Sequence, residues 1–290
     1  MDLHATSIKR RISLAFPYHT KANLKRFLHN GSKVQCPICL SRTNKWVRNG
    51  YDLPVLYERK VVGGIPREDD KCPVCHSMDR VRLMKMYFDR HTDLHKMKGR
   101  LLHMAPELGL GELFSSMANI EYFPSDLDEY RYRHLGKVTQ ADVCALPFSD
   151  DYFDYVIINH VLEHIPDDSQ AMRELFRVLK PGGTMIAQVP LALDGKPTDE
   201  DPTISDVDIR EKRFGQWDHV RLYGPEYYER IEETGFVIEL YDPFADAPEI
   251  AEAYHLNPLE YLNVFKKPAQ GVTTKGTDWR AKFDELINRA

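Results

Sequence analysis

The sequence predicts an α/β fold built on a mostly parallel sheet, preceded by a small cysteine-bearing module. Three observations carry that expectation. Phe153 to Asn159 (FDYVIIN) is an apolar, β-branched run of strand length, the kind buried on both faces of a parallel sheet. Pro166, Asp167 and Asp168 then supply helix-start chemistry ahead of Met172, Leu175, Phe176 and Leu179, which recur at helical spacing on one face. Lys180-Pro181-Gly182-Gly183 stops that helix, and Thr184 to Val189 (TMIAQV) reads as the next strand. Strand, helix and strand joined by short links in one sheet form a right-handed crossover. The third observation is the pairing of Cys36 with Cys39 and of Cys72 with Cys75 well upstream of that block.

The remaining elements follow in order. Arg100 to Met104 is a short apolar strand, followed by the loop Ala105-Pro106-Glu107-Leu108-Gly109-Leu110-Gly111 and a helical stretch through Met117. Ile120 to Pro124 reads as the second strand, and Asp142-Val143 closes a third. After the strand at Val189 comes a long polar section, Leu191 to Arg213, rich in acids and carrying Pro197 and Pro202. A connection longer than ~15 residues inside a compact domain is usually a functional lid or substrate loop. Pro225 to Thr234 reads as a helix with proline in its first turn, ended by Gly235. Phe236 to Tyr241 and Tyr261 to Lys266 read as the last two strands. Thr277 to Ala290 reads as an amphipathic helix with Trp279, Phe283 and Leu286 on one face.

Composition bounds the class. The chain has 290 residues, 42% hydrophobic and 29% charged, enough for one large domain and a smaller module. The expected division is a basic segment over residues 1–30, a zinc-ribbon-like module with a linking helix over 31–95, and a main domain over 96–290 with a lid at 191–224. No apolar run approaches the ~20 residues needed to span a bilayer, and no secretory signal opens the chain, so a cytoplasmic protein is expected. Residues 1 to 48 carry ten Lys and Arg against one acid, Asp2, so a segment of net +9 precedes a remainder of −14. Such a segment docks on the protein's own acidic body, on nucleic acid, on an anionic membrane surface or on an acidic partner.

Cys36-Pro37-Ile38-Cys39 and Cys72-Pro73-Val74-Cys75 are separated by 32 residues, and Cys144 is left over. Paired CxxC turns present four thiolates to a zinc ion at ~2.3 Å each. Each pair is followed by small, polar and basic residues, Ser41-Arg42 in one case and Ser77 and Arg80 in the other. Cys36, Cys39, Cys72 and Cys75 are therefore the candidate structural zinc ligands, with His76 a possible substitute. The segment between the pairs should carry its own hairpin, part of it from Val55 to Val62 and Gly63-Gly64. A thioredoxin-like redox site would sit beside a βαβ pattern, which neither pair does.

The block from Ala141 to Pro190 resembles the central block of the class I S-adenosylmethionine-dependent methyltransferases, and the resemblance extends over residues 99 to 266. Loop and module together resemble a type 11-like branch with an H-x-A-P-E first loop, here His103-Met104-Ala105-Pro106-Glu107, preceded by a CPxC pair and an Arg-rich helix (Cys72 to Arg82). The resemblance implies a Rossmann-like seven-stranded, mostly parallel sheet with an antiparallel last strand, and S-adenosylmethionine as cofactor. Where the family reads acid-x-Gly-x-Gly-x-Gly, this chain has glycines only at 109 and 111. Glu107 then either faces the cofactor amino group or caps the next helix. Met104, Ala105, Pro106, Glu107 and Gly109 form the first candidate cofactor set. Asp126 lies 19 residues after Glu107, close to the ~20-residue offset of a ribose-binding acid, with Leu127 beside it and Asp128 as runner-up. Asp142 and Val143 occupy the position that reads adenine in the family, and Asn159 closes the fourth strand.

His160-Val161-Leu162-Glu163-His164 matches the H-x-x-E-H signature of some metalloproteases, but that needs a continuous helix, which the strand before it and Pro166 after it oppose. In the methyltransferase branch the same segment orders a loop. Phe214 to Gly224 is polar and aromatic and lies near the expected ligand edge. His219 is the candidate base or acceptor-orienting group, with Asp218 or Arg221 assisting or pairing with each other across the lid, and His160 is the further catalytic candidate. The expected activity is methyl transfer to an oxygen or nitrogen of a small or sugar-like acceptor. Two alternatives remain: a methyltransferase acting on RNA of ribosomal type through the basic segment, and a binding module that keeps the fold without catalysis. The acidic core and the lack of an RNA-stacking aromatic set weigh against RNA. No P-loop occurs, so nucleotide hydrolysis has no support.

Overall fold

The computed structural model describes residues 24–92, 96–269, 271 and 276–290. The expected basic segment therefore lies largely outside the described residues, which begin at Leu24. The central sheet has seven strands: β1 (Gly99–Met104), β2 (Ile120–Asp126), β3 (Thr139–Gln140), β4 (Phe153–Ile158), β5 (Leu179–Ile186), β6 (Val237–Tyr241) and β7 (Leu262–Lys266). Their spatial order is β6-β7-β5-β4-β1-β2-β3. From β5 to β3 every neighbour is parallel, and β7 runs antiparallel to both β5 and β6. The switch point of this order lies between β1 and β4, where ligands bind in open α/β sheets.

The helix Asp168–Val178 starts where the sequence places it, because the Asp167 side chain accepts the Gln170 N–H at 2.9 Å. It buries Ala171, Met172, Leu175 and Val178 against the sheet. Leu179 no longer belongs to it and opens β5 instead. The Lys180 to Gly183 turn is absorbed into β5 as an irregularity between Leu179 and Thr184, and the strand ends at Ile186 rather than at Val189. β6 and β7 pair antiparallel over five residues. Their connection carries two short helices, Pro243–Asp246 and Pro248–Ala253, which no sequence pattern marked in advance. Trp279, Phe283 and Leu286 of the helix Trp279–Arg289 are buried in the main core, as the amphipathic pattern implies.

The cysteine module departs from expectation in one respect. Its hairpin is made by Val47–Asn49 and Arg67–Lys71, whereas Pro54–Glu58 is a helical turn. Val61–Val62 pairs antiparallel with Leu191–Ala192 of the section after β5. Two-residue strands have no pattern of their own to announce this pairing. The expected lid thereby becomes a built structure, with Asp199–Glu200 pairing Arg221–Leu222 around a helix at Val207–Phe214. Leu56 and Val61 share a small core with Ala192, Phe214 and Leu222. Gly215 ends the lid helix at φ 85°, and a Cβ there would stand 2.3 Å from Leu56 Cδ2, so both conformation and packing require glycine.

Arg82 ties the module to the main body. Fully buried, it stacks 4.3 Å over the Trp46 ring and donates to the carbonyls of Asp70, Ser77, Tyr254 and His255. Those four acceptors satisfy a charge that burial would otherwise make costly.

Glu260 is a second buried ionisable group, and it sets a pH dependence. Burial first, and the charge of Asp79 second, push its carboxyl up to about 8, against the amide of Gln188 donating to it at 3.0 Å and the charges of Arg80 and Arg67. With a folded value above the unfolded 4.5, the native state holds the proton longer than the unfolded chain. Stability therefore falls as pH rises between those two values, with the full cost above pH 8. Glu260→Gln is expected to leave the melting temperature near the wild type at pH 4 and to raise it increasingly toward pH 9. Equal shifts at both ends of a thermal-melt series would contradict this.

Candidate functional site

At the carboxyl ends of β1 and β4 lies a half-open cavity of about 680 Å³. Its floor is Ala105 to Leu108 after β1 and Asn159 and His160 after β4; one wall is Glu163, His164 and Gly215 to His219 without Trp217. The opposite wall comes from the module: Asn49 to Tyr51, Gly63, Gly64, Met78 and Arg80. The segment between the cysteine pairs is thus part of the site.

Ala105 and His160 adopt φ of 46° and 52°, a left-handed conformation uncommon for residues with a Cβ. Backbone bonds just beyond the strand ends hold them there, from the Ala105 N–H to the Ser125 carbonyl at 2.9 Å and from the His160 N–H to the Gln188 carbonyl at 2.8 Å. Such local strain collects at ligand sites.

Glu107 occupies the N-cap position of the helix Leu108–Ser115, yet its side chain makes no capping bond. It turns across the floor instead. His103 Nε2 donates to Oε2 at 2.8 Å, Asn159 Nδ2 donates to Oε1 at 3.0 Å, and Arg80 Nε stands 3.6 Å away. Asn159 is itself fixed by the Gln188 N–H donating to its Oδ1 at 3.0 Å. Burial acts to raise the Glu107 carboxyl, but the hydrogen bond and charge of His103, with Arg80 and Asn159, outweigh it and hold the group down at about 2. Glu107 is a carboxylate kept ionised at the cavity floor, the partner a cationic ligand group needs.

The other expected cofactor residues lie along the same edge but do not line this cavity. Asp126 ends β2 half-buried, its Oδ1 accepting the Asp128 N–H at 2.8 Å, and burial raises its carboxyl above the usual range. Arg131 and Tyr132, shortly after it, do reach the cavity. Leu127 is 68% exposed. Asp142 is exposed, with its Oδ1 taken by the Cys144 N–H, while Met104 and Val143 are core residues. Gly109 serves packing instead, because a Cβ there would stand 2.5 Å from Ile38 Cγ2, and its absence lets the first cysteine turn close onto the helix.

The expected catalytic residues separate in the same way. His219 is buried and lines the cavity, its Nδ1 3.3 Å from the Phe214 carbonyl, and burial pushes it down to about 4. Asp218 lines the cavity too, with Oδ2 3.5 Å from His164 Nδ1. Arg221 does not reach the cavity and does not pair with Asp218. It is buried, donates to the carbonyls of Leu162, Ile165 and Pro166, and pairs with Glu200 at 3.0 Å. Arg221 is a positioning residue that fixes the loop after β4. His160 lines the cavity with Nε2 buried and without a hydrogen-bond partner, and its Nδ1 is 3.4 Å from Glu163 Oε1. The turn Leu162–His164 is a single 3-10 turn, so the long helix of the protease motif is absent. Glu163 and Arg80 were not anticipated as site residues; the H-x-x-E-H match was the one sequence signal that could have nominated Glu163.

The four cysteines converge. Cys36 Sγ is 3.7 Å from Cys75 Sγ and Cys39 Sγ is 3.9 Å from Cys72 Sγ, and all four lie within 4.8 Å of one another. Four sulfurs placed ~2.3 Å from one tetrahedral centre stand about 3.8 Å apart, whereas a disulfide needs ~2.05 Å. The two turns share one backbone pattern. Cys36 and Cys72 donate N–H bonds to the carbonyls of Ser41 and Ser77, and Leu40 and His76 donate back to Cys36 and Cys72 at 2.9 and 3.0 Å. Leu40 and His76 both have positive φ, 58° and 61°. His76 is exposed and contacts Lys25, and the convergent ligand set is the four sulfurs without it.

Comparison with known proteins leads to methyltransferases. The family described as "Methyltransferase domain" matches residues 103–187. The ubiquinone/menaquinone biosynthesis C-methyltransferase UbiE of Vibrio campbellii is 49% identical over 47 residues, 16% of this chain and 18% of that protein. The demethylmenaquinone methyltransferase of Listeria monocytogenes is 46% identical over 59 residues, 17% of this chain and 25% of that protein. The matched stretch thus spans a quarter or less of either relative's length. Among solved structures, an S-adenosylmethionine-dependent methyltransferase from Mesorhizobium loti aligns over 62% of this chain and 97% of its own, with 17% identity and a TM-score of 0.43. Phosphoethanolamine N-methyltransferase 2 of Haemonchus contortus, in complex with S-adenosyl-L-methionine, aligns over 60% and 41% with 22% identity and a TM-score of 0.39.

Proposed function

We propose that the class I methyltransferase domain in this chain transfers the methyl group of S-adenosylmethionine to an oxygen or nitrogen of a small or sugar-like acceptor held in the cavity, with a structural zinc on Cys36, Cys39, Cys72 and Cys75. In this reading residues 31–95 form the zinc module and 96–290 the catalytic domain with its lid at 191–224. The observation that carries it is the polarity of the cavity, in which an ionised Glu107 faces a histidine-rich wall across the carboxyl ends of β1 and β4.

When bound, S-adenosylmethionine supplies an electrophilic methyl group on a positively charged sulfonium. The residues of the chain divide the remaining work. Glu107 meets the ammonium of the methionine part, and Asp126 meets the ribose hydroxyls at the end of β2. His160, whose Nε2 is unpartnered and whose Nδ1 lies 3.4 Å from Glu163 Oε1, accepts the proton that an oxygen or nitrogen acceptor must lose. His219 and Asp218 orient the acceptor beneath the lid, with the module forming the wall opposite. A half-open cavity of about 680 Å³ has the size for a small acceptor beside the cofactor. The described basic residues give RNA little support, since Arg48 already pairs with Asp52 and Glu68 and Arg26 donates to Ser41. No helix among the described residues is long and apolar enough to cross a membrane.

Calorimetric titration with S-adenosylmethionine and S-adenosylhomocysteine tests the reading. Wild type is expected to bind both, and Asp126→Ala to weaken them ~10-fold or more, the worth of charge-assisted hydrogen bonds. His160→Gln should leave that binding intact and lower turnover by ~100-fold or more once an acceptor is in hand. Absence of binding to the wild type would overturn the assignment and favour a non-catalytic module.

A further inference from the structure

We propose that Glu163, His164 and His219 form a site for one first-row divalent cation in the cavity wall, distinct from the four cysteines. Each offers a donor atom, and the three lie within 4.8 Å of one another. The lid brings them together: the Val220 N–H donates to the Glu163 carbonyl at 3.0 Å, which sets His219 against the turn that carries Glu163 and His164. The two imidazoles meet edge to face with centroids 4.7 Å apart.

An independent observation points to a missing ligand. The Glu163 side chain is 1% exposed, and neither of its oxygens has a hydrogen-bond partner. Its nearest nitrogens are His160 Nδ1 at 3.4 Å and His219 Nε2 at 4.0 Å, both long for hydrogen bonds. A buried carboxylate without donors is costly, and a cation between these groups would satisfy it.

The orientation of the histidines is also that of ligands. His164 Nδ1 is 3.2 Å from the Asp218 carbonyl and 3.5 Å from its carboxylate. His219 Nδ1 is 3.3 Å from the Phe214 carbonyl. With Nδ1–H donated outward in each ring, the Nε2 lone pairs are left for the cluster, the arrangement outer-shell partners impose on metal-bound histidine. Two imidazoles and one carboxylate suit zinc, iron, manganese or nickel and leave coordination positions open. All three residues line the cavity, so those positions face the space where an acceptor would lie. The geometry therefore points to an acceptor bearing a hydroxyl or carboxylate oxygen that completes the coordination, and this last step alone rests on the methyl-transfer reading.

Mn²⁺ is the suitable probe, because it favours oxygen and nitrogen donors while the thiolate site favours zinc. Full-length protein carrying a single equivalent of zinc, enough for the four cysteines alone, is titrated with Mn²⁺ and followed by electron paramagnetic resonance, and is expected to show one saturable site per chain. Glu163→Gln and His219→Gln should each weaken it at least ~10-fold, and Asp218→Asn should weaken it by ~10-fold through the loss of His164 support. His164→Gln, at a partly exposed ring, decides the matter if circular dichroism shows that the Glu163 variant fails to fold. No saturable site in the wild type, or one unchanged by His164→Gln, would overturn the proposal. The calorimetric titration with S-adenosylmethionine reads the methyl-transfer assignment separately, so failure of one leaves the other standing or falling on its own result.

Discussion

Replacing Cys72 with serine is expected to leave the purified protein with less than half an equivalent of zinc and to lower its melting temperature by roughly 10 °C or more, at ~2–4 °C per kcal/mol for a chain of this size. The size of the effect follows from what the four sulfurs organise. Metal-binding free energy in a small module is folding free energy, and among the described residues the apolar cluster beside the sulfurs holds only Trp46 and Val74 as buried non-cysteine residues. The consequence should travel beyond the module. Arg82 reads the Ser77 carbonyl directly after the second cysteine turn, Gly109 packs on Ile38 within the first, and the segment between the turns pairs with Leu191–Ala192. Since that segment walls the cavity, cofactor affinity should fall together with zinc content. Chelation of the wild type should reproduce both losses, and zinc added back should restore them. A variant that lost zinc yet kept the melting temperature and cofactor affinity would show the module to be an independent appendage.

The contrast between legible and illegible features of this chain has a physical basis. β4, the helix after it and β5 could be read because each switches hydrophobic period over enough residues to be distinctive, and because Asp167 and the Lys180 to Gly183 turn punctuate them. The antiparallel β6 and β7 were legible as runs, while the two short helices between them were not, having only four and six residues each. The cavity wall contributed by the module had no local signature at all. Val61–Val62 is a strand only by virtue of Leu191–Ala192, more than a hundred residues away. Site residues divide similarly. Glu107 and Asn159 could be expected at the cavity floor because the loops after the strands in this sheet order gather at one edge. Arg221 could not: its role lies in carbonyls of the Leu162–Pro166 turn, and no side-chain pattern marks a carbonyl as free. Asp126 ends one strand at this edge and Asp142 follows another, and each spends one carboxylate oxygen on the N–H two residues on.

Glu107→Gln is expected to weaken both S-adenosylmethionine and S-adenosylhomocysteine by ~10–100-fold, because both carry the ammonium that this carboxylate would meet and charge-assisted bonds contribute roughly 1.5–3 kcal/mol. The substitution keeps the side chain's shape and can still accept from Asn159, so the loss reads charge rather than packing. Arg80 at 3.6 Å would be left without its counter-ion at the floor, and the His103 N–H would lose a charged acceptor at 2.8 Å. Some stability should be lost with them, and the stability cost can be separated from the binding cost. Stability lost with no change in cofactor affinity, measured well below the melting temperature, would reduce Glu107 to a structural anchor for β1. Affinity lost for S-adenosylmethionine alone would place the carboxylate against the sulfonium rather than the ammonium, since only the sulfonium charge is absent from S-adenosylhomocysteine. Equal loss for both ligands would place the cofactor's ammonium, present in both, at the Glu107 carboxylate.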